Sequence, residues 1–150
     1  MSDDRELRDL YQEVILEHSK KPRNYGVLQS ADHQAEGYNP LCGDHYTIFV
    51  NVKDSAISEI SFQGSGCAIS RASASMMTQA LKGKSQAEAE ALFTRFHDLV
   101  TGHGGDANAL GKLAVFAGVS EYPLRVKCAT LAWHAMRAAL RGEQQAVSTE

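Results

Sequence analysis

Apolar and polar positions along the chain lay out a succession of short elements. Leu7, Leu10, Tyr11, Val14, Ile15 and His18 recur at helical spacing, which predicts an amphipathic helix from Arg5 to His18. Lys20-Lys21-Pro22 ends it, because a residue before proline avoids the helical region. Asn24-Tyr25-Gly26 reads as a turn. The stretch from Ala31 to Asn39 is ambiguous, a short edge strand being one reading. From Asp44 to Val52 the pattern alternates, with Tyr46, Ile48, Val50 and Val52 on one face. Lys53-Asp54-Ser55 is a turn, and Ser58, Ile60 and Phe62 resume the alternation, so the two strands form a hairpin.

After Gly64-Ser65-Gly66 the period changes to helical over Ala68 to Leu81, a segment rich in Ala, Ser and Met. Gly83 fits its C-terminal exit, and Ser85 with Glu88 makes a capping box for the next helix. That helix carries Leu92, Phe93, Phe96, Leu99 and Val100, and a Gly-rich loop follows at 101–105. Leu110 to Val119 reads as another short helix. The last helix starts near Pro123 and reaches about Arg141, with Cys128, Leu131, Ala132, Ala135 and Ala139 on one stripe. The expected fold class is α+β: a small antiparallel sheet of about three strands with several helices packed on one side. The 150 residues suit a single domain, 1–150, with 143–150 a frayed polar tail.

Composition narrows the function classes. Fifteen Lys and Arg against eighteen Asp and Glu leave a net charge of −3, which argues against a nucleic-acid partner. No apolar run is long enough to span a membrane, and the acidic N-terminus lacks the apolar segment of a signal peptide, so the expected address is cytoplasmic. There is no catalytic triad, and Gly64-Ser65-Gly66 is too short for a nucleotide motif.

The three cysteines carry the candidate chemistry. Cys42, Cys67 and Cys128 are 25 and 61 residues apart, with no CxxC pair. An odd number in a cytoplasmic chain is not a disulfide framework. Each could be a small buried hydrophobe, but each also falls at a boundary between elements, beside glycines or at a helix start. Helix N-termini favour thiolate, and Arg125 and Lys127 add cations near Cys128. If the thiols converge they supply three soft ligands, and Asp44, two residues after Cys42, is the nearest candidate for the fourth donor of a tetrahedral zinc site.

These residues also carry a family likeness. Leu10-Tyr11 with His18 and Pro22-Arg23-Asn24 resembles the opening helix of the SufU/IscU/NifU N-terminal family of iron–sulfur assembly proteins. Asn39-Pro40-Leu41-Cys42-Gly43-Asp44, Gly64-Ser65-Gly66-Cys67-Ala68-Ile69-Ser70 and Arg125-Val126-Lys127-Cys128-Ala129-Thr130-Leu131-Ala132-Trp133 resemble its three cysteine loops, in order. The likeness runs from about Leu7 to Leu140. The IscU scaffold branch has a His before the third Cys and a shorter segment between the second and third. Lys127 and the segment around Leu110 to Val119 resemble the SufU branch instead.

The resemblance implies a Zn²⁺ site of Cys42, Asp44, Cys67 and Cys128, supported by Arg125 and Lys127. It implies a pyridoxal-phosphate cysteine desulfurase of the SufS type as partner and a downstream SUF cluster-assembly scaffold as recipient. Cys42 would accept sulfur as a persulfide and pass it on, making the chain a sulfurtransferase in all but the bond cleavage. The alternative is a scaffold that assembles a [2Fe–2S] cluster on Cys42, Cys67 and Cys128, and transient cluster binding stays open because the ligands are common to both. Tyr11, Ile15, Leu41 and Tyr122 are candidates for docking, with core packing the stronger reading for Ile15. His18 reads as a packing residue, His45 as a strand-face residue, and His97, His103 and His134 as surface or satisfied groups. His33 has no assigned role.

Overall fold

Residues 2–103, 107–142 and 147–148 are described by the computed structural model. Its elements follow in the order α1 (Ser2–Lys20), β1 (His33–Asn39), β2 (Asp44–Lys53), β3 (Ala56–Ser65), α2 (Ala68–Leu81), α3 (Gln86–Thr101), a 3₁₀ segment (Ala107–Glu121), α4 (Pro123–Leu140) and β4 (Val147–Ser148).

The β2–β3 hairpin is the expected one. Lys53 pairs with Ala56, and Asp54 and Ser55 between them both take positive φ (55° and 65°), the twist that matches flanking strands. The register shifts between Asn51 and Val52, where Ser58 is the extra residue and its hydroxyl donates to the Asn51 carbonyl at 3.1 Å. Tyr46, Ile48, Val50, Ile60 and Phe62 face the core.

The ambiguous stretch is a full seven-residue strand. β1 pairs antiparallel with β2 from His33↔Val50 to Asn39↔Asp44, and the sheet order is β3-β2-β1-β4. Its inward residues are Ala35, Gly37 and Asn39, so it lacks the apolar alternation that marks β2. The reason is tertiary. A Cβ on Gly37 would lie 3.1 Å from Leu131 Cδ1 and 3.2 Å from the Ala135 Cβ, so small residues are what let α4 lie against this strand. β4 pairs in parallel with Gly37 and Tyr38; the rest of the expected frayed tail lies outside the described residues.

α4 packs on β1 and β2, α2 on β3 and α4, and α1 on α2. Trp133 of α4 is fully buried, stacked on Phe96 of α3 with centroids 4.6 Å apart. Its indole N–H donates to Ser73 Oγ, whose hydroxyl donates to the Ala129 carbonyl, so the small stripe of α2 is stitched to α4 by satisfied polar groups. The Ser85–Glu88 capping box forms as expected, and Gly83 leaves α2 with φ 87°.

The expected short helix at Leu110–Val119 instead winds as 3₁₀ helix and is interrupted at Gly111 (φ 57°, ψ −126°). Two glycines, at 111 and 118, with Val115 and Val119 weaken the α-helical preference that periodicity alone suggested. Among the described residues no helix is long and apolar enough to cross a membrane.

Two histidines give this core an acid-sensitive element. His18 is buried and its Nδ1 shares a 2.7 Å hydrogen bond with Ser75 Oγ, and burial holds its pKa below the ordinary value. His134, against Phe93 and His97, is pushed down to about 4 by burial, with Arg137 adding repulsion. A depressed histidine is protonated first in the unfolded chain, so stability falls as pH drops from about 6.5 toward 4. His134→Gln is therefore expected to flatten the loss of thermal stability over that window by roughly 1–2 kcal/mol, after discounting for its partial exposure. Calorimetric midpoints of both proteins at pH 7 and pH 4.5 measure this, and equal slopes would exclude it.

Candidate metal centre

The β1–β2 turn, the start of α2 and the start of α4 meet at one end of the sheet. Asn39 and Asp44 pair across the turn, which carries Pro40, Leu41, Cys42 and Gly43 between them. The Cys42 amide donates to the Asn39 carbonyl at 3.3 Å, the Leu41 amide to Asn39 Oδ1 at 3.2 Å, and Gly43 takes φ 73°. Cys42 thus lies in the turn rather than in the strand with Asp44, half-buried. Asp44 opens β2 on the inward face and is fully buried.

Cys67 follows β3 and caps α2, with extended backbone (φ −70°, ψ 169°). Its amide donates to Asp44 Oδ1 at 2.9 Å. The other carboxylate oxygen, Oδ2, is buried without a hydrogen-bond partner. Cys128 is fully buried, but not in the first turn as the sequence suggested: α4 starts at Pro123, so Cys128 sits in the second turn, and its thiol leans on the Leu124 carbonyl at 3.6 Å. Free first-turn amides therefore do not reach it. Asn39, also fully buried, donates from Nδ2 to its sulfur at 3.7 Å.

Ligand atoms of Cys42, Asp44 and Cys128 lie within 4.8 Å of one another. Cys67 is not in that trio but adjoins it through Cys128. Interaction with Cys128 draws the Cys67 pKa down, while Cys67 and burial push that of Cys128 up. All three cysteines are free. The donor set suits a soft divalent ion: two thiols and a carboxylate already face one another, a third thiol stands beside them, and one buried carboxylate oxygen is left unpartnered.

Arg125 is exposed at the start of α4, and the Cys128, Cys67 and Cys42 sulfurs hold its guanidinium more firmly protonated, the Cys128 contact most. Lys127 precedes Cys128 on α4 and is half-buried. Leu41 and Tyr122 stand exposed at 61% each, as a docking surface would require. Ile15 is buried, as core packing requires, yet it also lines a groove of about 610 Å³ together with Tyr11, Leu16, Ile69, Tyr122 and Arg125. His45 is exposed on the outer strand face, 3.6 Å from Glu36, and takes no part in the centre.

Sequence reasoning missed three polar groups here. Asn39 ties the Cys42 turn to Cys128. Tyr46 and Ser70 hydrogen-bond each other at 2.9 Å beside Cys67. The spacing from Cys67 to Ser70 was a readable signal, but the Tyr46 hydroxyl was masked by its place in an apolar strand face.

Comparison with known proteins gives consistent relatives. The family profile described as NifU-like N terminal domain matches residues 10–129. The chain is 42% identical to the iron–sulfur cluster assembly scaffold protein IscU of Streptococcus pyogenes serotype M1 over 136 residues, covering 90% of this chain and 85% of that one. It is 40% identical to the zinc-dependent sulfurtransferase SufU of Bacillus subtilis over 145 residues, covering 96% and 98%. Its fold matches the crystal structure of a protein described as a putative iron–sulfur cluster assembly scaffold for the SUF system, from Fervidobacterium islandicum AW-1, with a TM-score of 0.82 at 35% identity, over 85% of this chain and 94% of that one.

Proposed function

This chain belongs to the NifU-like N-terminal domain family, and we propose that it is a zinc-dependent sulfur acceptor in iron–sulfur cluster biogenesis. In this reading it takes persulfide sulfur from a SufS-type, pyridoxal-phosphate cysteine desulfurase onto Cys42 and passes it to a downstream SUF cluster-assembly scaffold in the cytoplasm. The observation that carries the reading is the state of Asp44: Oδ1 is spent on the Cys67 amide, Oδ2 is buried and unpartnered, and the carboxylate groups with the Cys42 and Cys128 sulfurs. Cys42, Asp44, Cys67 and Cys128 would hold the ion, which when bound keeps the thiols deprotonated.

The residues of the chain account for the transfer. Metal-free electrostatics favour thiolate on Cys67, so ionisation alone does not select the acceptor. Freedom of movement does. Cys42 rides a four-residue turn ahead of a glycine at positive φ, half-exposed beside Leu41, whereas Cys128 is buried in α4. Its thiolate attacks the outer sulfur of the donor's persulfide: the Cys42 Sγ–S bond forms, the donor's S–S bond breaks, and the donor cysteine leaves as thiolate. Arg125 offsets the negative charge gathered on the sulfurs. Free thiols of this kind match a reducing compartment.

The experiment is the alanine output of a cognate cysteine desulfurase, with and without this chain and with no iron present. A severalfold increase that disappears in Cys42→Ala is the expected result; no increase would sink the relay. The second reading, a [2Fe–2S] scaffold on the same three cysteines, has the names of the Streptococcus and Fervidobacterium relatives in its favour. Anaerobic cluster assembly on this chain in the absence of any desulfurase stimulation would establish it instead.

A further inference from the structure

We propose that Tyr46 and Ser70 are positioning residues that lock the Cys67 sulfur in place, leaving Cys42 as the thiol of the set that moves. The inference rests on reading the three thiols as one site, and it deepens that reading by assigning the immobile member and the groups that immobilise it.

Ser70 Oγ is the hub. It donates to the Cys67 carbonyl at 3.0 Å, lies 2.9 Å from the Tyr46 hydroxyl, and accepts from the Cys67 thiol at 3.7 Å. A serine hydroxyl has one proton and two acceptor sites, so with its proton on the carbonyl it takes the Tyr46 O–H and the Cys67 S–H. When the Cys67 sulfur loses its proton, Ser70 can turn its own proton onto the sulfur while Tyr46 still donates to Ser70. The chain of groups therefore fits both states of the thiol without moving a heavy atom.

Burial makes this hold stiff. Tyr46 is 0% and Ser70 1% exposed, so neither hydroxyl has water as a substitute partner. On an inward strand face a phenylalanine would fill the same space at no polar cost, and the Tyr46 hydroxyl is satisfied by Ser70. Together with Asp44 Oδ1 on the Cys67 amide, Cys67 is held at its nitrogen, its carbonyl and its sulfur. Gly66 is pressed against the same atoms: a Cβ there would come within 2.5 Å of Asp44 Oδ1, 2.5 Å of Ser70 Oγ and 2.7 Å of the Tyr46 hydroxyl oxygen. Cys42, by contrast, sets its amide on the Asn39 carbonyl at a long 3.3 Å and its sulfur beside that of Cys128, with no such hydroxyl clamp among the described residues.

The test reads each thiol separately and needs neither metal nor desulfurase. Chelator-treated protein is alkylated with iodoacetamide on the alkaline plateau, where ionisation no longer limits the rate, and each cysteine is followed by peptide mass spectrometry. Ser70→Ala is expected to speed Cys67 by roughly threefold to tenfold, the weight of one lost hydrogen bond, with Cys42 unchanged. Tyr46→Phe should speed Cys67 by less, and should add nothing in the Ser70→Ala background, because it acts through Ser70. An unchanged Cys67 rate overturns the proposal. So does an equal acceleration of Cys42 and Cys67, which is general loosening, or a Tyr46→Phe effect that survives without Ser70. Should Ser70→Ala not fold, Tyr46→Phe alone decides between an effect confined to Cys67 and none. A failure of desulfurase stimulation leaves these rates untouched, so the two readings fail separately.

Discussion

Asp44→Asn is expected to stabilise the metal-free protein and to destroy its affinity for zinc. The two effects share one cause. Asp44 is fully buried, with Oδ1 on the Cys67 amide and Oδ2 on nothing. A carboxylate oxygen without a partner in the interior costs stability in the absence of an ion. Asparagine keeps the acceptor for the Cys67 amide and turns a donor toward the sulfurs of Cys42 and Cys128, which can accept it. The metal-free midpoint should rise by roughly 2–6 °C, the equivalent of about 1–2 kcal/mol in a chain of this size. Zinc affinity should fall at least on the order of a hundredfold, since the anionic ligand is lost. Calorimetry of chelator-treated protein and a competition titration with a chromogenic chelator measure the pair. A lower metal-free midpoint would show that the unpartnered oxygen is no burden, and an unchanged zinc affinity would show that Asp44 is not a ligand.

Gly66→Ala should disturb the centre directly, through side chains rather than through backbone strain. The new Cβ would meet three buried oxygens at once, on Asp44, Ser70 and Tyr46, none of which is the loose end of a surface side chain. Displacing them breaks the hydrogen bonds that place Cys67 and shifts the carboxylate of Asp44. Overpacking of this kind costs roughly 1–3 kcal/mol, or about 3–10 °C here, and zinc retention should be lost with it. Gly118→Ala is the control, because a Cβ there meets nothing within 4 Å. If Gly66→Ala melts and binds zinc as Gly118→Ala does, the cradle described around Cys67 is not what holds it.

Much of this protein was legible before any coordinates. Periodicity placed α1, the β2–β3 hairpin, α2, α3 and α4, because the spacing of apolar positions is a local property of each element. Ser85 and Glu88 marked the start of α3, since a capping box is local chemistry. The positions of Cys42, Cys67 and Cys128 at element boundaries, with Asp44 beside the first, pointed to the candidate centre, and the three loops carried the family likeness that the relatives bear out.

What stayed hidden was whatever depended on a distant neighbour. β1 reads poorly because its inward side had to be small for α4 to lie on it, a demand made by Leu131 and Ala135 from nearly a hundred residues away. The 3₁₀ winding at 107–121 turns on the backbone of Gly111, which no apolar spacing reports. Cys128 sits one turn deeper in its helix than its motif implied, so its setting is a burial effect with Cys67 and Asn39 as partners, not a helix-end effect. Sequence by itself determined which groups could form a soft metal site and in which elements they ride, because those are properties of residue type and local spacing. Only the tertiary structure decided that Asp44 commits one oxygen to a backbone amide and leaves the other buried and unpartnered beside the thiols, and that Ser70 and Tyr46 grip one of those thiols. Such choices are made by the packing of β2, α2 and α4 against one another, and no stretch of chain encodes them alone.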